Sequence, residues 1–278
     1  MIRFFEKDPY SPIQYVYDVE KILYKGKSPF QEIVVIENPF FGRMLILDGV
    51  VQLTERDEFF YHEMLVHVVM HAHPEPKRVV VIGGGDGGAV REVLRHETVE
   101  KAFFVEIDEE VINVSKKYFP TVSCELENSR VEIKCMDGSE FIKSRKGDID
   151  IVIVDSTDII GFAKSLFTVE FFKSVKESLS DNGMLVTLSE SLHFHRDMVL
   201  GVQETMRLVF PVVDLYTAPI ATYAGNWWTF SAASKSLSLR EMRRPGISGL
   251  RYYSDEIHRQ AFLPPKMYER LLKKSLNW

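Results

Sequence analysis

Cysteine is scarce: Cys124 and Cys135 are the only two, and no Cys/His set with zinc spacing accompanies them. That excludes a disulfide framework and a zinc-finger module; both residues are expected to be reduced, partly buried thiols. No apolar run approaches the ~20 residues of a membrane-spanning helix. The opening Met1-Ile2-Arg3-Phe4-Phe5-Glu6-Lys7-Asp8 has acids where a signal peptide needs an unbroken apolar stretch. A cytoplasmic protein with no membrane partner is the expectation. A basic excess is also missing: 34 Lys and Arg stand against 40 Asp and Glu, a formal charge of −6, which speaks against nucleic acid as a partner. Disorder is excluded by a hydrophobic content of 45% beside 27% charged residues. Acids gathered in one cleft would suit a cationic ligand instead.

At roughly 150 residues per domain, the 278-residue chain makes one large domain or two modest ones and needs no covalent staple to fold. Two textures divide it. Residues 14–56 hold short β-branched and aromatic runs, such as Glu32-Ile33-Val34-Val35-Ile36 and Met44-Leu45-Ile46-Leu47, broken at Asn38-Pro39 and Asp48-Gly49. They predict a small antiparallel β-region of roughly four to six strands. Residues 57–72 shift to helical spacing, with Phe60, Met64, Leu65, Val68 and Val69 on one face. The connector His73-Pro74-Glu75-Pro76-Lys77 marks a boundary, giving an N-terminal β-stranded domain with its connecting helix (1–73) and a second domain (74–278). In the second domain, runs such as Val79-Val80-Val81-Ile82, Ala102-Phe103-Phe104-Val105 and Ile151-Val152-Ile153-Val154 alternate with amphipathic helices. Strands apolar on both faces indicate a mostly parallel, doubly wound α/β sheet with its ligand crevice at the carboxyl ends of the strands.

The glycine loop Ile82-Gly83-Gly84-Gly85-Asp86-Gly87-Gly88 follows a buried strand and opens a helix. Gly83, Gly85 and Gly88 meet the G-x-G-x-x-G spacing, which lets backbone turn tightly against a ligand. Glu106 ends the next strand, where it can accept hydrogen bonds from ribose hydroxyls. NAD enzymes and adenosylmethionine enzymes share that pair. Asp86 separates them: inside the loop its charge would repel a pyrophosphate and welcome an amine or sulfonium. Asp137, before Gly138 at the end of the third strand, can reach an adenine amino group or simply sit in a turn. The fourth strand ends in Asp155-Ser156-Thr157-Asp158. Asp155 directly follows a fully apolar run, a costly place for a carboxylate without a task.

These residues, together with residues 48–59, Tyr61-His62-Glu63-Met64, residues 218–223 and residues 251–258, resemble the spermidine synthases, the polyamine aminopropyltransferases, over nearly the whole chain. The resemblance implies a Rossmann-like methyltransferase fold carrying a small N-terminal β domain, assembled as homodimers or homotetramers. It implies decarboxylated S-adenosylmethionine as co-substrate, a primary amine (putrescine first) as acceptor, and no metal or resident cofactor. On the donor side, Gln31 and His62 would contact the aminopropyl–sulfonium part. Glu106 would hold the ribose, Asp137 and Gly138 the adenine end, and Gly83, Gly85 and Asp86 the loop side. Asp86 would attract the cationic tail of the decarboxylated donor and repel the carboxylate of the ordinary one. Asp155, directly or through Tyr61, would take the proton of the attacking amine, while Asp158, Tyr61 and Tyr223 would help bind the acceptor. An amine with a lysine-like pKa of ~10.4 costs about 4 to 5 kcal/mol to deprotonate at pH 7, so this end of the site carries the chemical burden.

Three stretches depart from the family pattern. Where relatives read Asp-Pro-x-Gly-Pro-Ala, this chain has Asp158-Ile159-Ile160-Gly161-Phe162-Ala163; Leu192 replaces a proline after Ser189-Glu190-Ser191, and Ala224-Gly225-Asn226 replaces Pro-Ser-Gly. All three are expected in the acceptor pocket. They leave agmatine, cadaverine or a longer polyamine as alternative acceptors, and a non-catalytic polyamine- or nucleoside-binding paralogue as a more remote reading. An amine methyltransferase leaves Asp86 and the N-terminal β-region unexplained, and an NAD oxidoreductase leaves the paired aspartates unexplained.

Overall fold

The computed structural model of the chain describes residues 2–157 and 161–276. Six strands come first: β1 (Ile2–Lys7), β2 (Gln14–Val19), β3 (Lys21–Lys27), β4 (Glu32–Asn38), β5 (Gly42–Leu47) and β6 (Val50–Thr54). β1 and β2 form an antiparallel pair, and β3 to β6 form an antiparallel sheet in chain order. Pairing thus begins at residue 2, earlier than the β-branched runs suggested. The β5–β6 turn is Asp48-Gly49 with φ of 47° and 83°, the doubly positive geometry of a tight hairpin. Alternation in β4 sends Ile33 and Val35 to one face, against Val111, Val114 and Phe119. Ile36 goes to the other, with Tyr17 and Val19 of β2. The small sheet is therefore covered on both sides.

α1 (Glu58–Ala72) follows. Only Phe59 and Phe60 escape full burial, so the helix is enclosed all round instead of presenting one apolar stripe. The reason is its position: its side chains pack into the same core as Val79, Val81, Ile151 and Ile153 of the large sheet, and the C-terminal segment covers its other side. Glu63, buried there, accepts backbone hydrogen bonds from Arg251, Tyr252 and Tyr253, each at 2.8 Å.

The second region contains β7 (Arg78–Gly83), α2 (Gly88–Leu94), β8 (Lys101–Glu106), α3 (Glu109–Tyr118), β9 (Val131–Cys135), α4 (Gly138–Lys143) and β10 (Ile149–Asp155). After a 3-10 helix at Gly161–Phe167 come α5 (Val169–Ser178), β11 (Leu179–Ser191), α6 (Arg196–Arg207), β12 (Val212–Pro219), β13 (Trp227–Ser234), α7 (Asp255–Ala261) and α8 (Pro265–Leu272). Seven strands form one sheet in the order β12-β13-β11-β10-β7-β8-β9, parallel except where β13 runs against β11 and β12. This is a Rossmann-like, mostly parallel sheet. Chain order reverses between β7 and β10, and at that switch point Gly83 pairs with Asp155. The last residues of two central strands therefore meet at the crevice.

Cys124 and Cys135 are free thiols, and both are exposed, not partly buried as the sequence suggested. α8 lies on the large domain: Leu271 packs with Val199, Leu200 and Leu215, and Arg207 donates to the Tyr268 hydroxyl at 2.6 Å. Among the described residues, no helix is long and apolar enough to cross a membrane.

Candidate active site

A cleft of about 320 Å³ opens over the carboxyl ends of β7, β8 and β10 and runs under the small sheet. Gln31, Tyr61, His62, Gly83, Gly85, Asp86, Glu106, Asp137, Gly138, Asp155 and Tyr223 all line it or lie against it. Asp158 and Ile159 lie outside the described residues.

The close pairing at the switch point dictates glycine at its first position. Gly83 has φ of 79°, and a Cβ there would sit 2.3 Å from the carbonyl oxygen of Asp155. Asp86 caps the loop by accepting from the Gly88 amide at 2.7 Å. Its Oδ1 also faces Nε2 of His62 at 3.3 Å, and Nδ1 of His62 lies 2.6 Å from Glu58. Burial by itself would strip the proton from His62, but the Asp86 and Glu58 carboxylates outweigh it and push the imidazole up to about 10. Burial likewise opposes ionisation of Asp86, yet the His62 imidazolium holds that carboxyl below its usual range. Arg91 closes the chain, donating to Glu58 at 2.8 Å. Asp86 thus stands ionised at the cleft floor, partly compensated from behind.

Asp155 is different. Burial, then the nearby Asp86 charge, push its carboxyl up to about 6 against the opposing pull of His62 and Tyr61. Its Oδ1 accepts from the Tyr61 hydroxyl at 2.7 Å, while Oδ2 is buried and unpartnered among the described residues. Burial and Asp155 hold the Tyr61 phenol well above its ordinary range, so it keeps its proton and donates it in the hydrogen bond to Asp155. One oxygen is thus pinned by Tyr61 and the other is left with a lone pair unused.

At the other end, burial pushes Glu106 up to about 7, and its Oε1 accepts from the Asp108 amide at 2.9 Å. Asp108 in turn holds the Gln31 side chain at 2.8 Å and the Ser28 hydroxyl at 2.6 Å, which ties the small sheet to the rim of the cleft. Asp137 caps α4, accepting from the Ser139 amide at 2.7 Å, while still facing the cleft. The Tyr223 hydroxyl donates to the carbonyl of Gln52, also on the cleft wall, at 2.6 Å, and its ring lies edge-on to Tyr61 at 5.5 Å.

Several residues escaped the sequence reading. Glu58 and Arg91 fix His62; the spacing of Glu58 and His62, one helical turn apart, was the available signal. Glu6, Asp8, Glu190 and His195 line the far end of the cleft, with Nε2 of His195 3.0 Å from Asp8. Glu190 has φ of 76°, a conformation unusual for a non-glycine residue. One expectation fails: Leu192 does not face the cleft. It is buried with Val199, Leu200 and Leu263 on the other side of β11, whereas Ala224 does line the site.

A Rossmann-like sheet with one carboxylate in its glycine loop and a second buried at its switch point defines an acidic small-molecule site at the carboxyl ends of the strands. Residues 58–242 match the spermine/spermidine synthase domain, and residues 2–55 match the spermidine synthase tetramerisation domain. The chain is 52% identical to a polyamine aminopropyltransferase of Hydrogenobaculum sp. over 100% of this chain and 99% of that protein. It is 51% identical to polyamine aminopropyltransferase 1 of Aquifex aeolicus over 98% and 97%. A spermidine synthase solved with the transition state analogue AdoDATO superposes with a TM-score of 0.92 at 34% identity, covering 98% of this chain and 95% of that one. The spermidine synthase of Thermotoga maritima gives 0.91 at 34%, covering 99% and 95%. The chain belongs to the spermidine synthase family of polyamine aminopropyltransferases, and it is an aminopropyl-transferring enzyme of polyamine biosynthesis.

Proposed function

We propose that the donor is decarboxylated S-adenosylmethionine and the acceptor putrescine, with spermidine and methylthioadenosine as products. The observation that carries this reading is Asp155: a buried carboxylate raised to about 6 that lines the cleft, with Oδ2 left without a hydrogen-bond partner among the described residues. In this reading the amine nitrogen attacks the propyl carbon beside the sulfonium, the C–S bond breaks with its electron pair going to sulfur, and one amine proton passes to Asp155. Tyr61 orients the acceptor of that proton, and Asp158 assists at the amine. The ionised Asp86 faces the donor's propylammonium, with His62 and Gln31 beside the sulfonium. Glu106 takes the ribose hydroxyls, and Asp137 and Gly138 take the adenine. Asp8 and Glu190, which share His195 between them, line the same cleft with more acid than base, which supports an acceptor with a second cationic group. No step calls on a metal or a resident cofactor.

The match of residues 2–55 to a tetramerisation domain supports a homotetramer. So do the exposed Phe5 and Val16, cross-strand partners on β1 and β2, since apolar groups gathered on one face favour association.

Methylthioadenosine release, measured with putrescine, cadaverine, agmatine and spermidine offered separately, tests the reading. Fastest release with putrescine, accompanied by spermidine, supports it. Fastest release with another amine replaces the acceptor, and none with any amine in donor-binding protein returns the silent-paralogue reading.

A further inference from the structure

Away from the cleft, α1 and the end of α2 bring three buried imidazoles together. His67 and His71 lie one turn apart on α1, His96 lies just past α2, and each is 0% exposed. Their ring centroids are 5.9 Å apart for 67–71, 5.1 Å for 67–96 and 5.0 Å for 71–96. A nitrogen from each comes within 4.8 Å of the other two.

Hydrogen bonding assigns the tautomers. Nδ1 of His71 lies 2.9 Å from the carbonyl of His67, so it donates and leaves a lone pair on Nε2. That Nε2 is buried with no partner among the described residues. Nε2 of His67 lies 3.0 Å from Glu92 and donates to it, which leaves its own lone pair on Nδ1. Both rings therefore have the outer N–H bound to a carbonyl or carboxylate, as metal-ligating histidines do. His96 turns Nε2 to Nδ1 of His67 at 2.9 Å and accepts from Arg244 through Nδ1 at 3.0 Å.

We propose that Nδ1 of His67, Nε2 of His71 and Nε2 of His96 form a structural site for a divalent transition metal of the imidazole-preferring class, with zinc as the best-suited ion. Zn–N bonds of about 2.0–2.1 Å place tetrahedral ligand nitrogens roughly 3.3 Å apart; Nδ1 of His67 and Nε2 of His96 are 2.9 Å apart, and a nitrogen of His71 lies within 4.8 Å of theirs. Binding requires the proton now on Nε2 of His96 to move to Nδ1. Arg244 then turns from that ring to the carbonyl of Met70, already 3.4 Å from its Nη1. The ion would join α1 to α2 and thereby brace the helix that carries Tyr61 and His62, without entering the transfer chemistry.

The test uses full-length protein stripped by chelator and titrated with Co²⁺ and Zn²⁺. One equivalent of Co²⁺ should bind through the three imidazoles with one water as fourth ligand, giving the intense visible bands of a four-coordinate site; Zn²⁺ should displace it, and the melting temperature should rise. His71→Leu should abolish these effects while remaining folded by circular dichroism, since it removes a nitrogen that lacks a partner. His96→Gln gives the same reading should His71→Leu fail to fold. Glu92→Gln should weaken binding about 10- to 100-fold. His62, Asp86 and Asp155 also come within 4.8 Å of one another, so Asp86→Asn is the control and should keep the bound Co²⁺. The proposal is overturned by wild-type protein that binds no equivalent of either ion. It is equally overturned by binding that survives His71→Leu and disappears in Asp86→Asn.

Discussion

Nδ1 of His62 lies 2.6 Å from the Glu58 carboxylate one helical turn before it, while Nε2 of the same ring faces Asp86 at 3.3 Å. This buried chain fixes the charge of the cleft floor, and stability must follow pH through it. Burial opposes ionisation of Glu58, but His62 and Arg91 hold its carboxyl down at about 2, below the ordinary 4.5. A depressed carboxyl contributes stability above its unfolded pKa and loses it as pH falls towards the folded value. Between about pH 4.5 and 2, the Glu58 contribution, about 3 kcal/mol, should therefore disappear. Urea melts of the wild type and Glu58→Gln should converge as pH falls through this window. Parallel curves would remove Glu58 from the account.

Asp155→Asn keeps the shape of the side chain and removes its basicity. Turnover should fall about 10²- to 10⁴-fold while the affinity for the donor changes little. Single-turnover rates and donor titrations separate the two effects. Near-normal turnover would take Asp155 out of the mechanism.

The pH profile tells a proton acceptor from a bystander charge. If Asp155 keeps the amine's proton in the transition state, the reacting pair is an ammonium and a carboxylate. The kcat/KM for the amine should then rise below about pH 6 and stay level towards pH 10. A continued tenfold rise per pH unit across that interval would mean that the amine deprotonates into water first. Tyr61→Phe removes a hydrogen bond that lowers the Asp155 pKa, so the acid limb should move to higher pH, with activity at pH 7 reduced roughly tenfold.

Gly88 tests the third glycine of the loop motif. A Cβ there would lie 2.3 Å from the His62 ring, which Glu58 holds in place. Gly88→Ala should displace the imidazole, costing about 1–3 kcal/mol of stability and weakening donor binding. Thermal melts and donor titration check both, and an unaltered His62 resonance in NMR would count against the collision.

Phe5 and Val16 are 59% and 50% exposed on the paired strands β1 and β2. Phe5→Asp combined with Val16→Lys should lower the oligomeric state seen by light scattering and leave the far-ultraviolet dichroism unchanged. An unchanged mass would place the assembly surface elsewhere.

Much of the cleft floor was legible in the sequence by itself. A buried parallel strand needs an unbroken apolar run, and its carboxyl end must open on the crevice, so Gly83, Glu106 and Asp155 could be placed from local pattern alone. The hairpin at Asp48-Gly49 and the small antiparallel sheet followed equally from turn chemistry and alternation. Tertiary structure decided what those residues meet. Tyr61 and Asp155 are 94 positions apart, and Asp8 and His195 are 187 apart; only the seating of α1 and β1 against the sheet joins them. The same packing turned Leu192 away from the cleft and enclosed α1 on every side, which a one-faced periodicity could not foretell. Ionisation was decided there too: Asp155 at about 6 and His62 at about 10 arise from burial and opposed charges, quantities set by neighbours in space and not along the chain.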